Sequence, residues 1–144
     1  MKVLVDTSVW SLALRRKPGD LTHQEQRLTQ RLTELIEDDR VALIGPIRQE
    51  LLSGIRSDVV FDRLKRRLRV YDDEPLTSED YESAAKIGNT CRAAGIAGSA
   101  IDFLICAVAQ RRGLSIFTTD RDFARYAAVV SLTLHPVDAN PPPA

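Results

Sequence analysis

The chain has 144 residues, 20 basic and 20 acidic side chains, a formal net charge of zero and 44% hydrophobic residues. That length and composition suit one domain with its own core, needing neither disulfides nor a structural metal. A globally basic nucleic-acid binder is excluded, although local clusters of Lys and Arg can still meet phosphates. No apolar stretch approaches the ~20 residues that span a bilayer, and no signal-peptide pattern is present. Cys91 and Cys106 lack metal-ligand spacing and read as small core residues. His23 and His135 have no ligand-like neighbours, so a zinc site is not indicated. A cytoplasmic protein is expected.

The chain opens on an apolar run, Val3-Leu4-Val5, that stops at Asp6 and reads as a fully buried strand. Asp6-Thr7-Ser8 is a helix N-cap cluster, with a short helix over Val9–Leu14 ending before the turn Arg15-Arg16-Lys17-Pro18-Gly19. Thr22-His23-Gln24-Glu25 is a capping box. It opens a helix to about Glu37 with Leu28, Leu32, Leu35 and Ile36 on one face. Val41–Ile44 reads as a second strand, and Pro46 begins a helix that carries Glu50 and stops at Gly54. Val59–Arg67 is an amphipathic helix with a basic face, and Arg69–Tyr71 an edge strand. A second capping box, Thr77-Ser78-Glu79-Asp80, predicts a helix to about Ala94 capped by Gly95. Ser99 opens a helix through Arg112, closed by Gly113. Leu114–Phe117 and Leu132–Leu134 are the last strands, and residues 139–144 form a Pro-rich tail expected to be disordered, leaving a domain over 1–138. Buried strands alternating with helices predict a doubly wound α/β domain on a parallel sheet.

Asp6 and Asp120 each follow a strand, Glu50 sits about a turn into the helix after the second strand, and Asp102 lies in the first turn of the Ser99 helix. In open α/β sheets ligands bind beyond the carboxyl ends of the strands, so these acids gather at one end of the sheet. Clustered carboxylates repel one another, and a divalent cation relieves that. Oxygen-only ligands favour Mg²⁺ or Mn²⁺, which activate water against a phosphodiester. Taken singly, each acid also has a bland reading: Asp6 and Asp120 as caps, Asp102 as the partner of Ser99 in a capping box, Glu50 as a solvated helix residue.

At these residues the chain resembles PIN-domain ribonucleases and, within them, the VapC-type toxins of toxin–antitoxin pairs. Four segments carry the resemblance in order: Val3-Leu4-Val5-Asp6-Thr7-Ser8-Val9-Trp10, Pro46–Gly54 around Glu50, Ala100–Ala107 around Asp102, and Phe117-Thr118-Thr119-Asp120-Arg121-Asp122-Phe123. It implies a three-layer α/β/α fold around a parallel sheet of about five strands. Asp6 and Asp102 would then be the firmest Mg²⁺ ligands, with Mn²⁺ as a substitute, and Glu50 and Asp120 would complete the acidic pocket. Thr7 and Thr118 would orient carboxylates or water. Asp122 is the reserve for Asp120 as the fourth acid, Asp120 being favoured because it comes first after the strand. The resemblance further implies an endoribonuclease, tRNA being one candidate target, that acts as a homodimer and is silenced by a cognate VapB-type antitoxin.

Two basic runs are candidates for RNA contact: Arg15, Arg16 and Lys17, and Arg63, Lys65, Arg66, Arg67 and Arg69. The alternative is a pair of solvated faces. Trp10 and Tyr71 are the only aromatics read as exposed stacking residues, with the core as the stronger reading for Trp10. Val9, Trp10 and Leu12–Leu14 read either as core or as one wall of a groove for an antitoxin helix. A receiver-like Mg²⁺-binding signalling domain would need paired acids after the first strand, and Asp6 stands alone. A catalytically silent RNA binder gains nothing from clustered negative charge, and a flap-type DNA nuclease needs more acids and more chain.

Overall fold

The computed structural model describes residues 2–137. The tail expected at 139–144 lies outside the described residues. At the centre stands β1 (Val3–Val5), all three of its side chains buried. Parallel neighbours flank it, β2 (Val41–Ala42) on one side and β3 (Ser115–Phe117) on the other, in the order β2-β1-β3. Val3 pairs with Val41 and with Ser115, which sets the three strands in register and brings their carboxyl ends to one edge.

Among the described residues the sheet has three strands rather than about five. In place of the expected outer strands are single parallel bridges, Leu43 with Asp73, beyond the expected Arg69–Tyr71, and Leu134 with Ile116. The reason is local in each case. Arg69–Tyr71 is taken by the helix before it: the N–H of Arg69 donates to the Lys65 carbonyl at 3.1 Å and that of Tyr71 to the Leu68 carbonyl at 3.1 Å, leaving neither for a ladder. Around Leu134, Ile116 exchanges bonds with Thr133 and His135, and Pro136 has no N–H to continue the ladder.

The helices follow the apolar periodicity. They are α1 (Thr7–Leu14), α2 (His23–Glu37), α3 (Gly45–Leu52), α4 (Asp58–Leu68), α5 (Ser78–Ala93), α6 (Ala100–Arg112) and α7 (Asp122–Ala127). A short 3-10 turn over Pro18–Asp20 occupies the predicted turn. The capping box of α2 is complete, Thr22 and Glu25 each accepting the other's backbone N–H at 3.1 and 3.0 Å. α1 packs on α2 and α3, and α3 on α4, while α5 and α6 pair with each other and α6 meets β3. The result is the expected α/β/α arrangement. α6 is buried continuously from Phe103 to Ala109, and its turn at Gly113 uses φ 65°, open to glycine at little cost. α5 lies close because Gly88 faces the Phe103 ring; a Cβ there would stand 3.0 Å from Cδ2. No helix among the described residues is long and apolar enough to cross a membrane.

One buried carboxylate anchors this scaffold away from the strand ends. Asp80 is 1% exposed, accepts the Thr77 N–H at 2.8 Å, and is held by Arg111 at 3.0 Å and Arg112 at 2.9 Å. Burial would raise its pKa, but the Thr77 and arginine contacts outweigh that and hold it below the ordinary carboxylate value.

Candidate metal centre

Asp6 occupies the N-cap position of α1 with extended backbone, yet its side chain makes no capping bond. Its Oδ2 instead accepts from Ser8 Oγ at 2.9 Å and from Thr118 Oγ1 at 2.8 Å. Ser8 Oγ in turn accepts the Thr119 N–H, and Thr118 Oγ1 the Asp120 N–H, each at 3.0 Å. Two hydroxyls thus tie the end of β1 to the end of β3, beyond the last ladder bond from the Asp6 N–H to the Phe117 carbonyl at 2.9 Å. The expected role of Thr118 has a geometric counterpart here. From sequence Ser8 reads only as part of a capping cluster; the signal that marks it is a hydroxyl two residues after an acid, a spacing that closes a local bond. Thr7 Oγ1 is buried without a hydrogen-bond partner.

Asp102 comes from the first turn of α6. Ser99 Oγ accepts its N–H at 3.1 Å, one half of a capping box, but the Asp102 carboxylate turns to Tyr126, whose hydroxyl donates to Oδ2 at 2.8 Å. Burial pushes the Asp102 pKa up, the bonds from Tyr126 and Ser99 pull it down, and the charges of Asp120 and Asp6 raise it again; the net shift is upward. Asp120 follows β3 and is exposed, while Asp122 opens α7 and is half-buried. Asp102, Asp120 and Asp122 each offer a carboxylate oxygen within 4.8 Å of the others. Both acids of the last motif therefore reach the same place, and Asp120 Oδ1 also accepts the Asp122 N–H at 2.9 Å. Asp6 is near enough to raise the Asp102 pKa without belonging to that triplet. Glu50 stands half-buried on α3, which packs on α1, and is likewise outside the triplet.

The donor set is carboxylate oxygen, converging from β3, α6 and α7, with Asp6 and its hydroxyls beside it. Such a set fits a hard divalent cation of the Mg²⁺ or Mn²⁺ type better than a softer metal.

The basic candidates are divided. Arg63, Arg66 and Arg67 are exposed on α4, and Lys65 is 3.7 Å from Asp62. Arg15 is exposed after α1, whereas Arg16 pairs with Glu25 at 3.1 Å. Trp10 is 1% exposed and meets the Tyr71 ring edge-on at 5.3 Å, which makes it core and not a stacking platform. Beside it a cleft of about 340 Å³ runs between α1, α2 and the end of α4, lined by Leu12, Leu14, Leu32, Ile36, Arg16 and Arg67 among others.

A parallel sheet inside helices, with acids converging at the strand ends, defines an α/β/α scaffold that carries a carboxylate cluster able to hold a metal ion. The chain belongs to the PIN domain family, whose pattern matches residues 3–129. It is 33% identical over 132 residues to a VapC ribonuclease of Mycobacterium bovis and to the ribonuclease VapC11 of Mycobacterium tuberculosis, covering 90% of this chain and 95% of each relative. Similar solved structures include FitAcB from Neisseria gonorrhoeae, with a TM-score of 0.74, 23% identity, and 94% and 97% of the two chains covered. VapBC2 from Rickettsia felis, solved bound to a DNA fragment from its promoter, has a TM-score of 0.74 at 16% identity, with 94% and 98% covered.

Proposed function

We propose that this protein is a VapC-type toxin, a divalent-metal-dependent endoribonuclease acting in the cytoplasm. The observation that carries the reading is the convergence of Asp102, Asp120 and Asp122 within 4.8 Å, beside Asp6. In this reading Asp6, Asp102 and Asp120 hold Mg²⁺, or Mn²⁺ in its place. Glu50 contributes from α3 on the strength of its motif, and Asp122 supports from α7. When bound, the ion supplies a water of lowered pKa and a positive charge against the phosphodiester oxygen. The chain's own residues do the positioning. Ser8 and Thr118 hold the Asp6 carboxylate by neutral donors, and Tyr126 does the same for Asp102, so neither acid loses its charge to a counter-ion. Arg15, Arg63, Arg66 and Arg67 are the proposed phosphate contacts that lead RNA toward the acids; Arg16 and Lys65 are shared with Glu25 and Asp62.

The reading includes a homodimer and a cognate VapB-type antitoxin. The cleft beside Trp10, lined by apolar Leu12, Leu14, Leu32 and Ile36 together with Arg16 and Arg67, suits an amphipathic segment of such a partner. The deciding experiment incubates the pure protein with total RNA, with and without Mg²⁺ or Mn²⁺, beside Asp6→Ala. Cleavage that needs the ion and vanishes in Asp6→Ala is the expected result. Cleavage indifferent to chelation, or preserved in the variant, overturns the proposal.

A further inference from the structure

We propose that Tyr126 is a positioning residue of the metal centre, fixing the Asp102 carboxylate through its hydroxyl, and that Gly98 is present to admit that hydroxyl. The inference rests on the reading of Asp102 as a metal ligand and adds a residue that the four acidic motifs do not contain.

Tyr126 is fully buried on α7. Its ring is held on two sides, by Phe123 at 5.3 Å and 74° and by Phe103 at 5.3 Å and 59°. Two aromatic contacts leave the ring little freedom, so the hydroxyl is carried to a defined point. That point lies 2.8 Å from Asp102 Oδ2. A core position that needed only volume would be served by phenylalanine; a buried phenol needs a partner, and here the partner is a carboxylate of the centre.

Gly98 gives independent support. Its backbone does not require glycine, since positive φ among the glycines is confined to Gly54, Gly95 and Gly113. Space does require it: a Cβ would stand 2.5 Å from Tyr126 Oη and 2.6 Å from Phe103 Cζ. The loop before α6 is thus shaped around the tyrosine hydroxyl and the ring beside it.

The chemistry explains the choice of donor. The buried structural acid Asp80 is held by two guanidinium groups, which cancel its charge. Asp102 is held by a neutral phenol, which restricts the carboxylate and leaves its negative charge for a cation. Groups that orient metal ligands in this way commonly change metal affinity by about 10- to 100-fold when removed.

The test is Tyr126→Phe in the full chain, with Mn²⁺ binding measured by calorimetry and RNA cleavage measured against Mn²⁺ concentration. The expected result is Mn²⁺ binding weakened by about 10- to 100-fold. The cleavage midpoint should move by the same factor, with kcat recovering at saturating Mn²⁺ and cooperative melting preserved. A merely structural tyrosine would lower the melting temperature without moving the Mn²⁺ midpoint, and that outcome overturns the inference. Gly98→Ala keeps the phenol but displaces it, and should reproduce the Mn²⁺ shift; it carries the test if Tyr126→Phe does not fold. Asp102→Asn separates the two readings. If it binds Mn²⁺ like the parent protein, the ligand assignment falls and takes this inference with it. If it loses Mn²⁺ while Tyr126→Phe and Gly98→Ala do not, only the positioning role is refuted.

Discussion

Replacing Thr118 by valine removes one oxygen from the junction of β1 and β3 while keeping the side chain's shape. Thr118 is 7% exposed, its hydroxyl donates to Asp6 Oδ2 at 2.8 Å, and the same oxygen accepts the Asp120 N–H at 3.0 Å. A hydrogen bond to an ionised group contributes about 1.5–3 kcal/mol, a neutral one about 1 kcal/mol. The second loss is softened because it is a neutral, part-buried bond on an exposed residue. The expected cost is therefore about 2–3 kcal/mol, or a melting temperature lower by roughly 5–10 °C for a domain of this size. Trp10, the sole tryptophan and 1% exposed, gives a fluorescence signal for urea unfolding, and ΔG is read from the midpoint at unchanged slope. Mn²⁺ binding to the folded variant should weaken by about 10-fold or more. Thr118→Ser keeps the hydroxyl and should recover most of both losses. If serine, which keeps the oxygen, is as damaging as valine, the hydroxyl alone does not hold the junction and the reasoning fails; if valine costs under about 0.5 kcal/mol, the bond to Asp6 contributes nothing beyond what water replaces.

Asp120→Asn should abolish metal-dependent cleavage, whereas Asp122→Asn, whose carboxylate lies 3.9 Å from Arg125, should leave most of it; single-turnover cleavage decides, and the reverse ranking would transfer the ligand role to Asp122. Asp80 has a folded-state pKa below its ordinary value of 3.8, so the stability it contributes is present above that value and is lost as pH falls through the folded-state pKa. Asp80→Asn should accordingly lower the stability at pH 7 and flatten its decline below about pH 4, measured by urea titration across pH. Arg66→Glu, exposed on α4, should weaken RNA binding and make the plot of log affinity against log salt less steep; an unchanged slope would return α4 to the status of a solvated face.

The elements legible in the sequence were those whose local chemistry and burial agree. Thr22 with Glu25, and the strip Leu28, Leu32 and Leu35, specify α2 from its cap to its core face. Val3–Val5 is apolar because it is the middle strand, covered on both faces, and an uninterrupted apolar run says so. Strands form where Val41–Ile44 and Leu114–Phe117 read as strands, whereas the edge strand expected at Arg69–Tyr71 does not form and that at Leu132–Leu134 is a single bridge. Whether Arg69–Tyr71 enters the sheet depends on how far α4 continues, and its amides were already taken by that helix. At the centre, residue types announced the acids, but their second partners were hidden by distance in the chain. Tyr126 reaches Asp102 across 24 positions and Thr118 reaches Asp6 across 112, and neither spacing has a local signature. The Asp6 carboxylate makes no capping bond, and Asp102 forms half of a capping box through its N–H while its carboxylate meets Tyr126.

The scaffold offsets only part of the cost of bringing these acids together. Asp6 stands at the start of α1, Asp102 in the first turn of α6 and Asp122 at the head of α7, where the helix ends present partial positive charge. Each such placement contributes about 0.3–1 kcal/mol. Two unit charges at the 4.8 Å that bounds the triplet repel by roughly 3 kcal/mol at an effective dielectric near 20, and three acids make three such pairs. Helix ends therefore cannot balance the repulsion; the pKa of Asp102 is raised chiefly by burial, and the charges of Asp120 and Asp6 add to that. The neutral donors around Asp6 and Asp102 hold geometry without cancelling charge, while Asp80, which has no ligand to meet, is neutralised by arginines. The same chain treats buried carboxylates in two opposite ways, and the difference is intelligible if the acids at the strand ends keep their charge for a cation.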